Sequence, residues 1–248
     1  MTARLVQICR HPIKSHGREA LASVRLLAGQ AMPYDRHWAV AHEAARLHPG
    51  WNPCANFARG AKAPLLMAID CRLDEALGRI TLNHPDRGEI RFSPDRPEDH
   101  ARFLNWVMPL NPPDRALPAR IVKADVAMTD SDYPSVSILN LASLRALEAR
   151  LGMTLSPHRF RANLCVEGWE AWDEWQMIGQ RLRIGGALLE IRERITRCRA
   201  TMADVETGRV DADTLGALEA GWGHRDFGVY AVVLEGGEIA LNDEVALQ

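Results

Sequence analysis

The chain has 248 residues with a formal net charge of −2, 47% hydrophobic and 25% charged residues, an ordinary composition for a soluble globular protein. A chain of this length buries a substantial core as one large domain or two small ones. Its near-neutral charge gives no global argument for nucleic acid or a membrane surface as partner, so any basic site is local. The five cysteines (Cys9, Cys54, Cys71, Cys165, Cys198) are odd in number and lack C-x-x-C spacing, which argues against a disulfide framework and a zinc knuckle. No segment approaches the ~20 apolar residues that span a bilayer. Met1-Thr-Ala-Arg-Leu lacks the apolar run of a signal peptide, so the expected compartment is the reducing cytoplasm.

In chain order, residues 3–9 alternate as a first strand and run into a Pro- and Gly-punctuated loop, His11 to Gly17. Leu21 to Leu27 and Trp38 to Ala41 read as further strands, the latter entered through Asp35-Arg36. Pro49 to Pro53 reads as irregular. Leu65 to Asp70, Arg79 to Asn83 and Glu89 to Ser93 return to strand character, the last after the turn residues 85–88. Pro97-Glu98-Asp99 opens a helix through Trp106, acidic at its first turn. The Pro-rich run 109–114 is the best linker, placing a boundary near 109–118 between expected domains 1–110 and 111–248. Leu139 to Gly152 is an amphipathic helix with Leu141, Leu144, Leu147 and Leu151 at helical spacing and Gly152 as its C-cap. The remainder is mostly strand (163–167, 181–184, 187–192, 228–234, 238–241), with a helix at 211–219. The predicted class is mainly β with some α, of barrel-like architecture.

Two clusters carry chemistry. Cys198 follows a predicted strand between Arg197 and Arg199, and cationic neighbours favour the thiolate, which binds metal or attacks. The plainer reading of such a cysteine is a buried structural one. Arg159-Phe160-Arg161-Ala162-Asn163 lies upstream. Arg161 and Asn163 alternate and also read as the solvent side of a strand. Arg36 beside Asp35 reads also as a local ion pair worth little, and Lys14 and Ser15 as surface loop residues. Trp169, Trp172 and Trp175 recur every third residue, as in a packed turn or short helix. No G-x-G-x-x-G, Walker-type loop or G-x-S-x-G is present, which leaves nucleotide and hydrolase readings without support.

In order along the chain, these pieces resemble the MOSC family, named for the C-terminal domain of molybdenum-cofactor sulfurases. Residues 159–163 resemble its R-F-R-P-N, Trp172 to Gly179 its W-x-x-L-x-I-G, and Thr196-Arg197-Cys198 with Asp204-Val205-Glu206-Thr207-Gly208 its S-R-C…D-P-D-T-G. Pro12-Ile13-Lys14-Ser15 and Asp35-Arg36-His37-Trp38 resemble the N-terminal β-barrel half that often precedes it. Within the family the likeness is to the mitochondrial amidoxime-reducing component and its bacterial relatives. The resemblance implies a MOSC β-barrel preceded by a second barrel-like half, with the cofactor between them. It implies a molybdenum cofactor whose metal is ligated by Cys198. Lys14, Ser15, Arg36, Arg161, Asn163, Thr196 and Arg197 would hold the pterin and its phosphate. Ser131, after Asp130, would add a further contact.

The implied reaction is reduction of an N-hydroxylated or N/S-oxide small molecule. No cysteine cluster suits an iron–sulfur centre, so a separate reductase or ferredoxin-type partner is expected to supply electrons. The alternative is a non-catalytic cofactor carrier or sulfur carrier with a Cys198 persulfide; a plain barrel without cofactor is the third reading. The chain departs from the family at Ala162 in place of Pro, at Ile195 where a cysteine is common, and over Asn56 to Pro64. These departures bear on substrate identity.

Overall fold

The computed structural model describes residues 2–123 and 125–248. The strands are β1 (Arg4–Arg10), β2 (Glu19–Leu21), β3 (Ser23–Leu26), β4 (Trp38–His42), β5 (Asp70–Asp74), β6 (Arg79–His84) and β7 (Gly88–Phe92). Helix α1 (Pro97–Val107) follows, then β8 (Pro118–Lys123), β9 (Val136–Asn140) and α2 (Leu141–Leu151). The chain continues through β10 (Leu164–Glu167), α3 (Asp173–Gln176), β11 (Arg181–Ile184) and β12 (Ala187–Thr196). It ends with α4 (Thr214–Trp222), β13 (Asp226–Glu235), β14 (Gly237–Ala240) and β15 (Val245–Leu247).

Strand content dominates, as the sequence pattern predicts, and the largest sheet is a curled eight-stranded one in the order β15-β11-β12-β13-β9-β10-β1-β2. Its neighbours are antiparallel except β9 and β10, which run parallel. A parallel pair needs a crossover, and α2 with the segment behind it supplies that crossover. Alternation sorts the side chains to the two faces of the sheet. Val136 and Ile138 of β9, Leu164 and Val166 of β10, and Val229, Ala231 and Val233 of β13 point into one buried core. Leu139, Cys165 and Phe227 point outward into a second cluster beneath α2 and α4. A third core joins the β5-β6-β7 meander to α1, where Phe92 and Phe103 stack at 4.6 Å between ring centroids.

The segments on either side of the Pro-rich run interleave. β1 and β2 lie in the large sheet, β3 pairs with β14, and β4 pairs with β8. Helix α2 is shorter at its start than the leucine pattern suggests, because Leu139 and Asn140 complete β9. The Asn140 side chain then caps the helix by accepting from the Ala142 N–H at 2.9 Å, and Gly152 closes it at φ 68°. The expected strand at 65–70 is instead a 3-10 turn, Pro64–Ala68, with β5 beginning at Asp70. Pro64 sits at the first helical position and Leu66, Met67 and Ala68 are all buried, an apolar run that periodicity alone cannot assign.

Ile138 is fully buried and is paired in register with Leu164 and Val229. Ile138→Ala is therefore expected to cost about 2–5 kcal/mol of unfolding free energy in denaturant titration. A loss below about 1 kcal/mol would contradict this core assignment.

Candidate functional site

On the outer face of the large sheet, where β9, β12 and β13 meet two long loops, lies a cleft of about 300 Å³. Ser137 of β9 and Tyr230 of β13, paired in register, point into it from strand positions that alternate with the core residues. The end of β12 delivers Ile195, Thr196, Arg197 and Cys198. The N-terminal loop delivers Lys14 and Ser15, and the following turn delivers Arg36. Arg161 enters from the turn before β10, and Asp130 from the loop before β9. Residues far apart in sequence, from Lys14 to Tyr230, thus converge on one cleft.

The backbone is unusual here. Ser15, Arg36 and Arg161 hold left-handed conformations at φ 62°, 50° and 50°. For residues with a side chain this costs of order 1–3 kcal/mol each, and such conformations cluster at functional sites. Two of them are held by backbone bonds. The Arg36 N–H donates to His11 O at 2.7 Å, and the Arg161 N–H to His158 O at 3.1 Å. A Cβ on Gly228 (φ 75°) would stand 2.6 Å from Ile138 O and 3.1 Å from Arg197 Nη2, so glycine there leaves room for the guanidinium.

The cations are fixed individually. Lys14, buried, spends its ammonium on Met128 O (2.7 Å), Thr129 O (3.4 Å) and Asp130 Oδ1 (2.7 Å), tying the N-terminal loop to the Asp130 segment. Arg36 Nη1 pairs with the buried Asp35 carboxylate, and its Nη2 donates to Arg161 O at 3.0 Å. Arg161 Nη1 donates to Gly17 O at 3.0 Å. Arg197 donates through Nε to Phe227 O (2.7 Å) and through Nη1 to Phe160 O (2.9 Å). The Nη2 atoms of both Arg161 and Arg197 are buried and meet no acceptor among the described residues. Burial, and for Arg161 also the neighbouring Arg36, pushes these guanidinium groups down to about 9 and about 10. Lys14 is matched by Asp130 and Arg36 by Asp35, while Arg161 and Arg197 have only carbonyl partners. A buried donor without a partner is costly, and a buried charge more so. The cleft therefore offers two buried, unpaired guanidinium donors of the kind that suit an anion.

Cys198 is exposed and reduced at the cleft edge, not the buried structural cysteine of the plainer reading. Its carbonyl accepts from the Thr201 N–H (3.2 Å) and hydroxyl (3.1 Å), which fixes the backbone behind the thiol. Thr196 Oγ1 donates to Asp226 at 2.6 Å. Two of the expected contacts lie elsewhere. Asn163 is 2% exposed and accepts from the Ser137 N–H and hydroxyl at 3.0 and 2.8 Å while donating to Cys9 O, so it stitches β9 to β1 beneath the cleft. Ser131 is buried in its own turn, bonded to Tyr133 O and Ser135 Oγ, and its neighbour Asp130 faces the cleft.

The motif residues around these have plain structural work. Arg159 pairs with Asp211 (2.7 Å) and Asp204 (3.4 Å), joining the 159–163 and 204–208 motifs. Asp204 in turn accepts from the Thr207 N–H and hydroxyl, both at 2.9 Å. Trp172 stacks on Trp175 at 4.6 Å and meets Trp222 at a tilt at 4.4 Å as packing, away from the cleft. Residues not singled out from the sequence are Tyr230, Trp51, Cys54 and Arg59, all lining the cleft. Tyr230 was within reach of period-2 reading, since it alternates with Val229 and Ala231.

The Asp35 pair is buried with His11, whose N–H donates to Asp35 Oδ1 at 2.8 Å. Although burial opposes its charge, Arg36 and His11 hold the Asp35 carboxyl well below the usual range. Burial, with Arg161 and Arg36 nearby, pushes the His11 imidazole down to about 3. Below the ordinary histidine range the unfolded ring takes up a proton that the folded ring refuses, so stability falls as pH drops from about 6.5 toward 3. Denaturant titrations at pH 7 and 5 should show a loss of about 2 kcal/mol to which His11 contributes. His11→Asn should reduce that loss, and an equal pH dependence in both proteins would refute the assignment.

Among the described residues no group of three His, Cys, Asp or Glu side chains could hold a metal ion, so a metal here would need to bring ligands of its own. No described helix is long and apolar enough to cross a membrane. The family model for the MOSC domain matches residues 125–246, which include Asp130, Arg161, Arg197 and Cys198. The YuaD protein from Bacillus subtilis has a similar solved structure, with a TM-score of 0.51 at 14% identity over 100% of this chain and 96% of that one. A shorter likeness, to YiiM from Geobacillus stearothermophilus, has a TM-score of 0.36 at 18% identity over 46% of this chain and 53% of that one. No curated protein matches the chain. MOSC domains are associated with molybdenum-cofactor binding. Residues 125–246, set within a mainly β fold, are thus a domain of the MOSC family.

Proposed function

We propose that the cleft binds a molybdenum–pterin cofactor with the Cys198 thiolate as a protein ligand to the metal, and that the protein reduces N-hydroxylated or N/S-oxide small molecules. The observation that carries this reading is the pair of buried, partnerless Nη2 atoms of Arg161 and Arg197, within one cleft with an exposed thiol. Guanidinium groups suit phosphate oxygens, and a soft thiolate suits a metal already bound by sulfur. When bound, the group would supply two-electron oxygen-atom chemistry. Arg161 and Arg197 would hold its anionic groups, Thr196 and Ser15 offer hydroxyls to pterin edges, and Arg36 acts by fixing the Arg161 carbonyl. Lys14, fully engaged by the 128–130 segment, acts by positioning Asp130.

Removing oxygen from an N–OH group as water consumes two protons. Burial, with Asp130 nearby, raises the Tyr230 phenol to about 12, so Tyr230 Oη keeps its proton at neutral pH and can donate it at the cleft surface. Against the cost of desolvation, Lys14 holds the Asp130 carboxyl below its ordinary value. Asp130 is thus ionised at neutral pH and serves to orient or relay a proton. Trp51, Pro53, Phe160 and Ile195 form the apolar wall for a small substrate. Electrons would come from a separate redox protein.

Protein made with ample cofactor supply is expected to carry stoichiometric molybdenum and pterin, and Cys198→Ala or Arg161→Ala to lose most of it. Intact mass before and after reductant tests the sulfur-carrier alternative. A removable extra sulfur on Cys198, with no metal, would overturn the reductase reading. Tyr230→Phe should keep its molybdenum while lowering kcat for a hydroxylamine substrate about 10²-fold with a viologen donor. An unchanged kcat would remove Tyr230 from proton delivery.

A further inference from the structure

A second recess of about 170 Å³ adjoins the first, and Arg59 lines both. One of its walls is the 55–63 segment, and the opposite wall is the Pro-rich connection near Asn111 to Ala116. Phe57, Ala58 and Ala63 are buried apolar residues that line it. Its cations come from both walls: Arg59 and Lys62 from one, Arg115 from the other. No carboxylate lines it, and none of the three cations is in an ion pair among the described residues.

The recess is held in shape. The Ala58 N–H donates to Val40 O at 2.8 Å, and the Arg59 carbonyl accepts from the Lys62 and Ala63 N–H groups at 3.0 and 2.9 Å. Arg59 Nη1 is further fixed on Cys54 Sγ at 2.9 Å. His42, at the end of β4, also lines it. Its Nε2 lies 2.7 Å from Ala55 O, an arrangement that makes Nε2 the donor, while its Nδ1 is buried without a partner. Three cations around a concave, apolar-floored space with no carboxylate to offset them set up a local positive field that favours an anion among them.

We propose that this recess is an anion subsite for the carboxylate or phosphate end of a small molecule, joined to the Cys198 cleft through Arg59. Ligand chemistry there is a compact anion on an organic stem: Arg59 and Arg115 present forked donors that match carboxylate or phosphate oxygens, Lys62 adds a point charge, and the Phe57 side takes the stem. The subsite selects for acidic ligands whether or not the cleft holds a metal. It also gives the 109–118 connection a role beyond joining elements.

The test uses the full chain with sulfate and acetate as probes, each titrated calorimetrically, and selenate located in crystals by its anomalous signal. Lys62 and Arg115 are exposed, so Lys62→Ala/Arg115→Ala should fold, which circular dichroism checks. The expected result is a selenate peak in the recess of the parent, absent in the double variant, with at least tenfold weaker binding of one probe. Tighter acetate identifies a carboxylate ligand, and tighter sulfate a phosphate-like one. No selenate peak in the recess of the parent, or probe affinities unchanged by the double substitution, would overturn the proposal.

Discussion

The site depends on one electrostatic constraint: more cationic groups converge on the cleft than the protein neutralises. Lys14 and Arg36 each have a carboxylate, Asp130 and Asp35. Arg161 and Arg197 have backbone carbonyls and a buried Nη2 apiece with nothing to donate to. Desolvation makes that arrangement expensive, and left-handed backbone at Ser15, Arg36 and Arg161 adds strain at the same place. The neighbouring structure sustains both costs. Three cores, the buried Asp35–His11 pair beside Arg36, and Gly228 beside Arg197 frame these groups.

Sheet alternation explains how one strand serves both stability and site. In β13, Val229 and Ala231 fill the core while Tyr230 between them faces the cleft. In β9, Ile138 is core and Ser137 is cleft floor. Slipping either strand by one residue would exchange these roles. The β1-β10-β9 pairing that fixes the register is secured by Asn163, whose amide bridges Ser137 and Cys9. Asn163 therefore matters to the site without facing it.

Much of this was legible from residues alone, and the failures have physical reasons. Strand-rich character and Gly152 as helix terminator follow from local pattern, whereas the exposure of Cys198 does not, since a cysteine at a strand end fits a buried structural role equally well. The position of Asn163 does not, since an amide on an alternating segment looks the same whether it faces a ligand or a neighbouring strand. Ser131 and Asp130 differ by one residue in a loop, where no periodicity decides which one turns inward. Leu65 to Asp70 is apolar enough for a strand, and only the packing of Leu66 to Ala68 behind Pro64 makes it a turn. The Arg159–Asp211 and Arg159–Asp204 pairs span more than forty residues and are invisible until the chain folds.

The central claim is that the thiol of Cys198 completes the coordination of a metal held by the arginine-lined cleft. Molybdenum X-ray absorption on cofactor-loaded protein tests it most directly, comparing the parent with Cys198→Ser under conditions where both retain metal. The account predicts one fewer sulfur neighbour at the metal in the variant, with the remaining sulfur shell unchanged. Identical sulfur counts in the two proteins would contradict it and assign Cys198 a role other than ligand.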